Sequence, residues 1–287
     1  MAASVLFDAP GPKALARHRL YGVISGLILL VIFGLMMWQL QRKGQFAAQF
    51  WEPFVTPRIV NVLLEGLTRT LLAAVIAIAG ALVYGLVFGS GKLSDHRAIR
   101  WPSWLLVEFF RAVPLLMIII ATWFFIGPQP GTNGFTALII GLVLYNGSVL
   151  AEIFRAGINA VPKGQSEAAY AIGMGKSQVM RIVLLPQAVK IMLPAIISQT
   201  IVALKDTSLG YAVLAPGLTV AAKLVYGEFR NTLQTVFVLA LIYIFFNLLL
   251  SWFGTWAQER FGGEKKIELT AVGVLTDRDT GASQSAF

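Results

Sequence analysis

The sequence predicts an all-α, polytopic membrane protein with six transmembrane helices and both termini in the cytoplasm. Three observations carry that expectation. The chain is 57% hydrophobic and only 13% charged, about half the ~25% charged share of soluble domains. It contains six apolar segments near the roughly 20 residues a bilayer-crossing helix needs. Its Lys and Arg residues also fall unevenly: fifteen lie in segments on the side of the N-terminus and five on the opposite side. Basic residues stay in the cytoplasm, so this asymmetry sets the orientation. The net charge of +9 is therefore a topology signal, and no nucleic-acid binding is expected. With no cysteine, disulfide frameworks and thiolate metal sites are excluded. The two histidines, His18 and His96, sit in separate basic segments and form no metal pair. No cofactor is called for.

The six predicted spans are residues 21–40, 70–89, 104–126, 135–157, 191–214 and 235–253. The first is too long for the apolar region of a signal peptide. Gln-Arg-Lys follows it where small residues would mark a cleavage site. The second enters from about Val60 and carries Ala73, Ala77, Ala81, Gly85 and Gly89 at four-residue spacing. That places a ridge of small residues on one helix face, where a second backbone can approach closely. Residues 1–59 are read as an N-terminal segment with an extra span and outer loop, 60–257 as the core, and 258–287 as a mobile cytoplasmic tail of mixed charge and Gly, Ser and Thr.

Charged side chains inside spans cost about 2.5–3.5 kcal/mol each on insertion scales. Here they come in opposite pairs at helical spacing: Glu65 with Arg69, Glu108 with Arg111, and Glu152 with Arg155. The first and third also fit ion pairs near span ends that snorkel toward headgroups. Glu108 and Arg111 lie deeper and precede Pro114, which points to a water-filled route or a helix junction. Lys205-Asp206-Thr207-Ser208 interrupts the fifth span. Four consecutive polar residues cannot all avoid lipid on one helix, so they are expected to line an enclosed cavity or a helix break. With Asn146 and Ser148 of the fourth span, they are expected to surround a route for a polar, charged solute.

The longest inner loop, residues 158–190, contains Gly175-Lys-Ser177, the last three positions of a phosphate-binding loop. That motif needs a glycine five positions earlier, because backbone N–H groups along the whole loop wrap the phosphates. Tyr170 stands there instead, and no strand precedes it, so nucleotide binding is rejected. The loop reads as two short amphipathic helices. Pro162 suits the first turn of one, Gly173 its left-handed end, and Ser177 the cap of the other, which ends near Leu185-Pro186. A glycine-hinged knob of this kind suits docking into a cleft of a soluble partner.

Glu167-Ala-Ala169, then Gly173, then Leu185-Pro186 resembles the EAA loop of ABC importer permeases, with Val183 where that pattern has isoleucine. Ala151-Glu-Ile-Phe-Arg-Ala-Gly-Ile158, Val161-Pro-Lys-Gly-Gln165, Leu185-Pro-Gln-Ala188, Val107-Glu-Phe-Phe-Arg-Ala-Val-Pro-Leu115 and Leu204-Lys-Asp-Thr-Ser-Leu209 are similar to its polar amino acid uptake subfamily. The likeness covers roughly residues 60–257, and the chain as a whole resembles glutamate-uptake permeases of actinobacteria. After Leu209 the chain continues Gly-Tyr-Ala-Val213, where relatives often have a more hydrophilic segment.

The resemblance implies a type I ABC importer permease fold in the cell membrane. It also implies a dimer of ATP-binding subunits, a second permease subunit or second copy, an extracellular solute-binding protein, and surrounding membrane lipid as partners. ATP hydrolysis would belong to the separate subunit. Carried over, Glu167, Ala168, Ala169, Gly173 and Pro186 form the coupling contact. For an amino-acid solute, most simply glutamate, Arg111 is expected to meet a carboxylate and Asp206 the ammonium. Asn146, Thr207 and Ser208 would be neutral partners, with Lys205 as a second cation. The cavity can also sit in the partner permease alone. The rival is an ion-coupled secondary transporter of amino acids, with the intramembrane charges as ion relays. It predicts a symmetry between halves that is not visible. A membrane enzyme would need a convergent nucleophile and base or a metal cluster, and none is legible.

Overall fold

The computed structural model describes residues 12–127 and 132–261. The tail from Gly262 lies outside them. Among the described residues the secondary structure is helical, and it falls into two compact units.

One unit comprises the described residues up to Leu64 together with Ala221–Leu239. It holds α1 (Pro12–Arg42), two short 3-10 turns (Ala48–Phe50 and Glu52–Val55) and the start of α2 (Pro57–Lys92). It also holds the end of α9 (Leu218–Phe229) and the start of α10 (Thr232–Phe261). Polar groups tie the 45–58 stretch to residues 228–237. Asn231 Nδ2 donates to the Phe50 carbonyl at 2.9 Å, and Gln234 donates to the Gln45 carbonyl. Arg58 makes a two-pronged bond to Glu228 at 3.0 and 3.2 Å. The Trp51 and Phe237 rings meet edge-on at 6.0 Å. The apolar stretch of α1, by contrast, is exposed along its length.

The other unit comprises Glu65–Val220 and the described residues from Ala240. Its axis is α5 (Thr132–Asn159), which packs against α3 (Arg97–Ala112), α4 (Leu115–Ile126) and α8 (Leu185–Asp206). The small-residue ridge of α2 lies against α5 as its spacing requires. Ala73, Ala77 and Ala81 are each 1% exposed. A Cβ placed on Gly85 would stand 2.8 Å from the Leu150 Cβ, and one on Gly89 would stand 2.9 Å from the Ala151 carbonyl oxygen. Two apolar clusters follow along this seam. One joins Ala73 and Ala77 to Ile119, Leu138 and Leu142; the other joins Ala81 to Leu150, Phe154 and Met192.

Among the described residues, five helices are long and apolar enough to cross a membrane, and the predicted third span is not one of them. α3 and α4 pass that test only together, and they meet at 106°. Pro114 explains the break. It has no N–H to continue the helix, and it holds Val113 extended at φ −83°, ψ 132°. The 12 residues of α4 rise only about 18 Å, short of the ~30 Å hydrocarbon core. Two helices at a steep angle thus make up the predicted third span, with a junction at Pro114.

Candidate functional site

The loop after α5 forms the predicted knob, with three corrections. α6 (Lys163–Ala171) is preceded by Pro162 in an extended conformation, so the proline caps the helix from outside its first turn. Glu167 and Ala168 are exposed, while Ala169 faces inward at 6% exposure. α6 ends as expected at Gly173, whose φ is +85°. There the Gly173 N–H reaches the Tyr170 carbonyl at 2.9 Å and the Met174 N–H the Ala169 carbonyl at 3.2 Å. This nested pair satisfies helix-end carbonyls and needs a left-handed residue between them.

The next helix is capped differently from the expectation. Gly175, not Ser177, precedes its first residue, and Gln178 Oε1 reaches back to accept the Gly175 N–H at 2.8 Å. The three residues of α7 (Lys176–Gln178) then pass into a π-helical turn (Val179–Leu184) and directly into α8. Pro186 therefore does not end a helix. The wider turn accommodates its missing N–H, and the Gln187 side chain donates to the Val183 carbonyl at 3.0 Å. The helix from Lys176 is continuous to Asp206 and is extended by a 3-10 segment, Thr207–Val213. Asp95, ahead of α3, forms an ion pair with Lys176. The hydrogen bond from Lys176 holds the Asp95 carboxyl below the usual carboxylate range.

At the far end of α8 the predicted polar residues gather only in part. Asn146 is 1% exposed on α5. Its amide Nδ2 reaches Asp206 Oδ2 at 3.5 Å, and its carbonyl accepts from Gln199 Nε2 at 2.6 Å. Thr207 is buried and donates its hydroxyl to the Leu204 carbonyl at 2.6 Å. Ser208 is half-buried, whereas Lys205 points to an exposed surface. The chain does change helix type between Asp206 and Thr207, at the predicted break.

Arg111 is elsewhere. It pairs with Glu108 at 3.4 Å in a network whose centre the sequence reading missed. Lys92, at the end of α2, is 6% exposed; it bonds Glu108 at 2.9 Å and also pairs with Glu152. Arg155 closes on Glu152 at 3.0 Å. Glu152 lies six residues along α5 from Asn146, about 9 Å of helix rise, so the two polar groups occupy different levels of one helix. Glu65 and Arg69 form no salt bridge among the described residues. Gln199 was also missed. Lys92 and Gln199 each sit in a short polar stretch beside apolar runs, and only their distant partners reveal their importance.

Residues 81–263 match the family described as the binding-protein-dependent transport system inner membrane component. A glutamate transport system permease protein of Corynebacterium glutamicum is 41% identical over 222 residues, covering 74% of this chain and 80% of that protein. A probable glutamine ABC transporter permease protein of Bacillus subtilis is 34% identical over 193 residues, covering 67% and 89%. Among solved structures, an amino acid ABC transporter crystallised with histidines superposes with a TM-score of 0.66 and 29% identity, covering 71% of this chain and 95% of the other. An inward-facing methionine ABC transporter has a TM-score of 0.62 at 21% identity and shares the fold, covering 72% and 99%.

Proposed function

The chain belongs to the family of binding-protein-dependent transport system inner membrane components, and on that premise we propose that it conducts glutamate inward, driven through the 163–186 loop by a separate ATPase. It is an amino-acid ABC importer permease subunit, a multi-pass protein of the plasma membrane, and ATP hydrolysis is the task of another subunit. Glutamate as the solute draws support from the 41%-identical permease of Corynebacterium glutamicum. The Lys and Arg asymmetry supports cytoplasmic termini and a cytoplasmic knob.

One observation carries the mechanism: the helix that begins at the exposed bend runs without a break to the part-buried Asn146–Asp206 contact. Glu167, Ala168, Ala169 and Gly173 form the knob that seats in the ATPase dimer. Pro186 lies where the knob passes into the rod. ATP binding draws this knob toward that of a second permease or second copy. The displacement passes along α8 and alters the packing of Asp206, Thr207 and Ser208 against α5. An extracellular binding protein supplies the solute. Asp206 accepts its ammonium group, the amides of Asn146 and Gln199 offer neutral hydrogen bonds, and exposed Lys205 attracts a carboxylate. Arg111, held by Glu108, acts separately, nearer the ends of α2 and α5.

Reconstitution with the ATPase subunits and binding protein tests the proposal. Labelled glutamate should accumulate in an ATP-dependent manner, and Asp206→Asn should cut the rate at least tenfold. Unchanged kinetics in that variant, or uptake abolished by an uncoupler while ATP stays high, would overturn it in favour of another pathway or of ion coupling.

A further inference from the structure

We propose that a cavity bounded by α2, α3 and α5 binds the phosphodiester headgroup of an anionic phospholipid. It has a volume of about 720 Å³, well within the range of small-molecule sites and far larger than an inorganic phosphate requires.

Charge selects the ligand. Lys92, Arg97, Arg100 and Arg155 line the cavity against two carboxylates, Glu108 and Glu152. Both carboxylates are already engaged, by Lys92 and by Arg111 or Arg155. Arg97 and Arg100 form no salt bridge among the described residues, so the two guanidinium groups are the surplus. A planar guanidinium binds phosphate oxygens two at a time. A free amino acid or a zwitterionic lipid would bring its own cation into this surplus and be repelled.

Geometry selects a membrane source. α3 meets α4 at 106° and is strongly two-sided. Ser103 and Val107 are buried, while Trp101 and Trp104 on the cavity wall are 64% and 47% exposed. Tryptophans with an apolar face and one N–H donor sit at headgroup level, and basic pockets between helices at that level hold anionic headgroups. The guanidinium groups can thus take the phosphate while acyl chains leave along exposed Leu105 and the tryptophan flank.

Native mass spectrometry of the full-length chain in detergent tests this, with phosphatidylglycerol, phosphatidylcholine and inorganic phosphate offered in turn. Phosphatidylglycerol should remain bound through delipidation, with at least tenfold lower retention of phosphatidylcholine and no competition from inorganic phosphate. Arg97→Gln/Arg100→Gln should reduce phosphatidylglycerol retention roughly tenfold. Arg97→Lys/Arg100→Lys, which keeps the charge but not the bidentate fork, should restore only part of it, and Lys43→Gln should have no effect. Because Arg97 and Arg100 are exposed, the glutamine variant should keep the parent's thermal transition, which separates lost binding from lost folding. Equal retention of phosphatidylcholine, displacement by inorganic phosphate, or undiminished binding in the glutamine variant would each overturn the proposal.

Discussion

Replacing Gly173 tests the coupling proposal most directly, because its energetic cost can be isolated. Its φ is +85°, and a Cβ built there meets no heavy atom within 4 Å. Substitution therefore costs backbone strain without a steric clash. For alanine that strain is about 1–2 kcal/mol, and 1.4 kcal/mol is about tenfold in an equilibrium. The bent loop, and with it affinity for the ATPase subunit, should fall roughly 5- to 30-fold in Gly173→Ala. Gly173→Asn should lose less, since asparagine enters this region more readily. Gly173→Pro should abolish binding: proline fixes φ near −65° and removes the N–H that reaches Tyr170. The assay is titration of the ATPase subunit onto nanodisc-held permease, with hydrogen exchange across residues 168–176 as an independent reading of the bend. Gly164→Ala, also in open space but inside α6, is the control and should be neutral or slightly stabilising. Equal affinity for the Gly173→Ala variant and the parent, or an equal loss in Gly164→Ala, would refute the reasoning.

Lys92→Met should leave Glu108 and Glu152 facing each other without their shared cation, and lower stability by about 2–3 kcal/mol. That is below the ~3–5 of a broken fully buried pair, because Glu108 remains 39% exposed. Adding Glu152→Gln should recover part of the thermal transition. Gly85→Val should destabilise by about 1–3 kcal/mol through overpacking against Leu150, while Gly26→Ala on exposed α1, where a Cβ meets nothing, should not; melting of both variants in one detergent checks the contrast. Asn146→Leu should reduce uptake at saturating solute by removing the partner of both Gln199 and Asp206, whereas Asn146→Gln should retain part of it. Asp95 titrates below the usual carboxylate range because Lys176 bonds its charged form. The pair's stabilisation is therefore complete above the unfolded carboxylate value and is lost as pH falls through the lowered one. Protection at residues 175–180, corrected for the intrinsic pH dependence of exchange, should fall once the pH drops below the usual carboxylate value of about 3.9, and Asp95→Asn should flatten that response.

Several features were legible because one local rule governed each. The ridge from Ala73 to Gly89 follows helical spacing alone, and it packs as the spacing dictates. Gly173 stands one residue past an amphipathic turn, and it takes the left-handed conformation such a position favours. Pro114 and Pro186 were harder, because proline is compatible with two outcomes. At Pro114 the chain bends sharply and a seemingly uniform apolar span divides into two helices. At Pro186 a widened turn accommodates the missing donor, and the helix continues. Which outcome prevails depends on neighbours that the local sequence does not contain. The same holds for Lys92 and Gln199: their partners lie 16 to 60 residues away in sequence, and spacing within one helix cannot disclose them. The sequence pairs Arg111 with Glu108 and also groups it with Asp206; the helical spacing gives the pair, which forms, whereas the grouping rests on charge alone.

The unbroken course of α8 also sets a mechanical scale. Its 22 residues span about 33 Å, so pivoting the rod by 5° about Leu185 would sweep Asp206 through an arc of roughly 3 Å. The Asn146–Asp206 separation is 3.5 Å, close to the limit at which a hydrogen bond survives. A rotation too small to alter any helix boundary would thus suffice to part these two side chains and open the space between them.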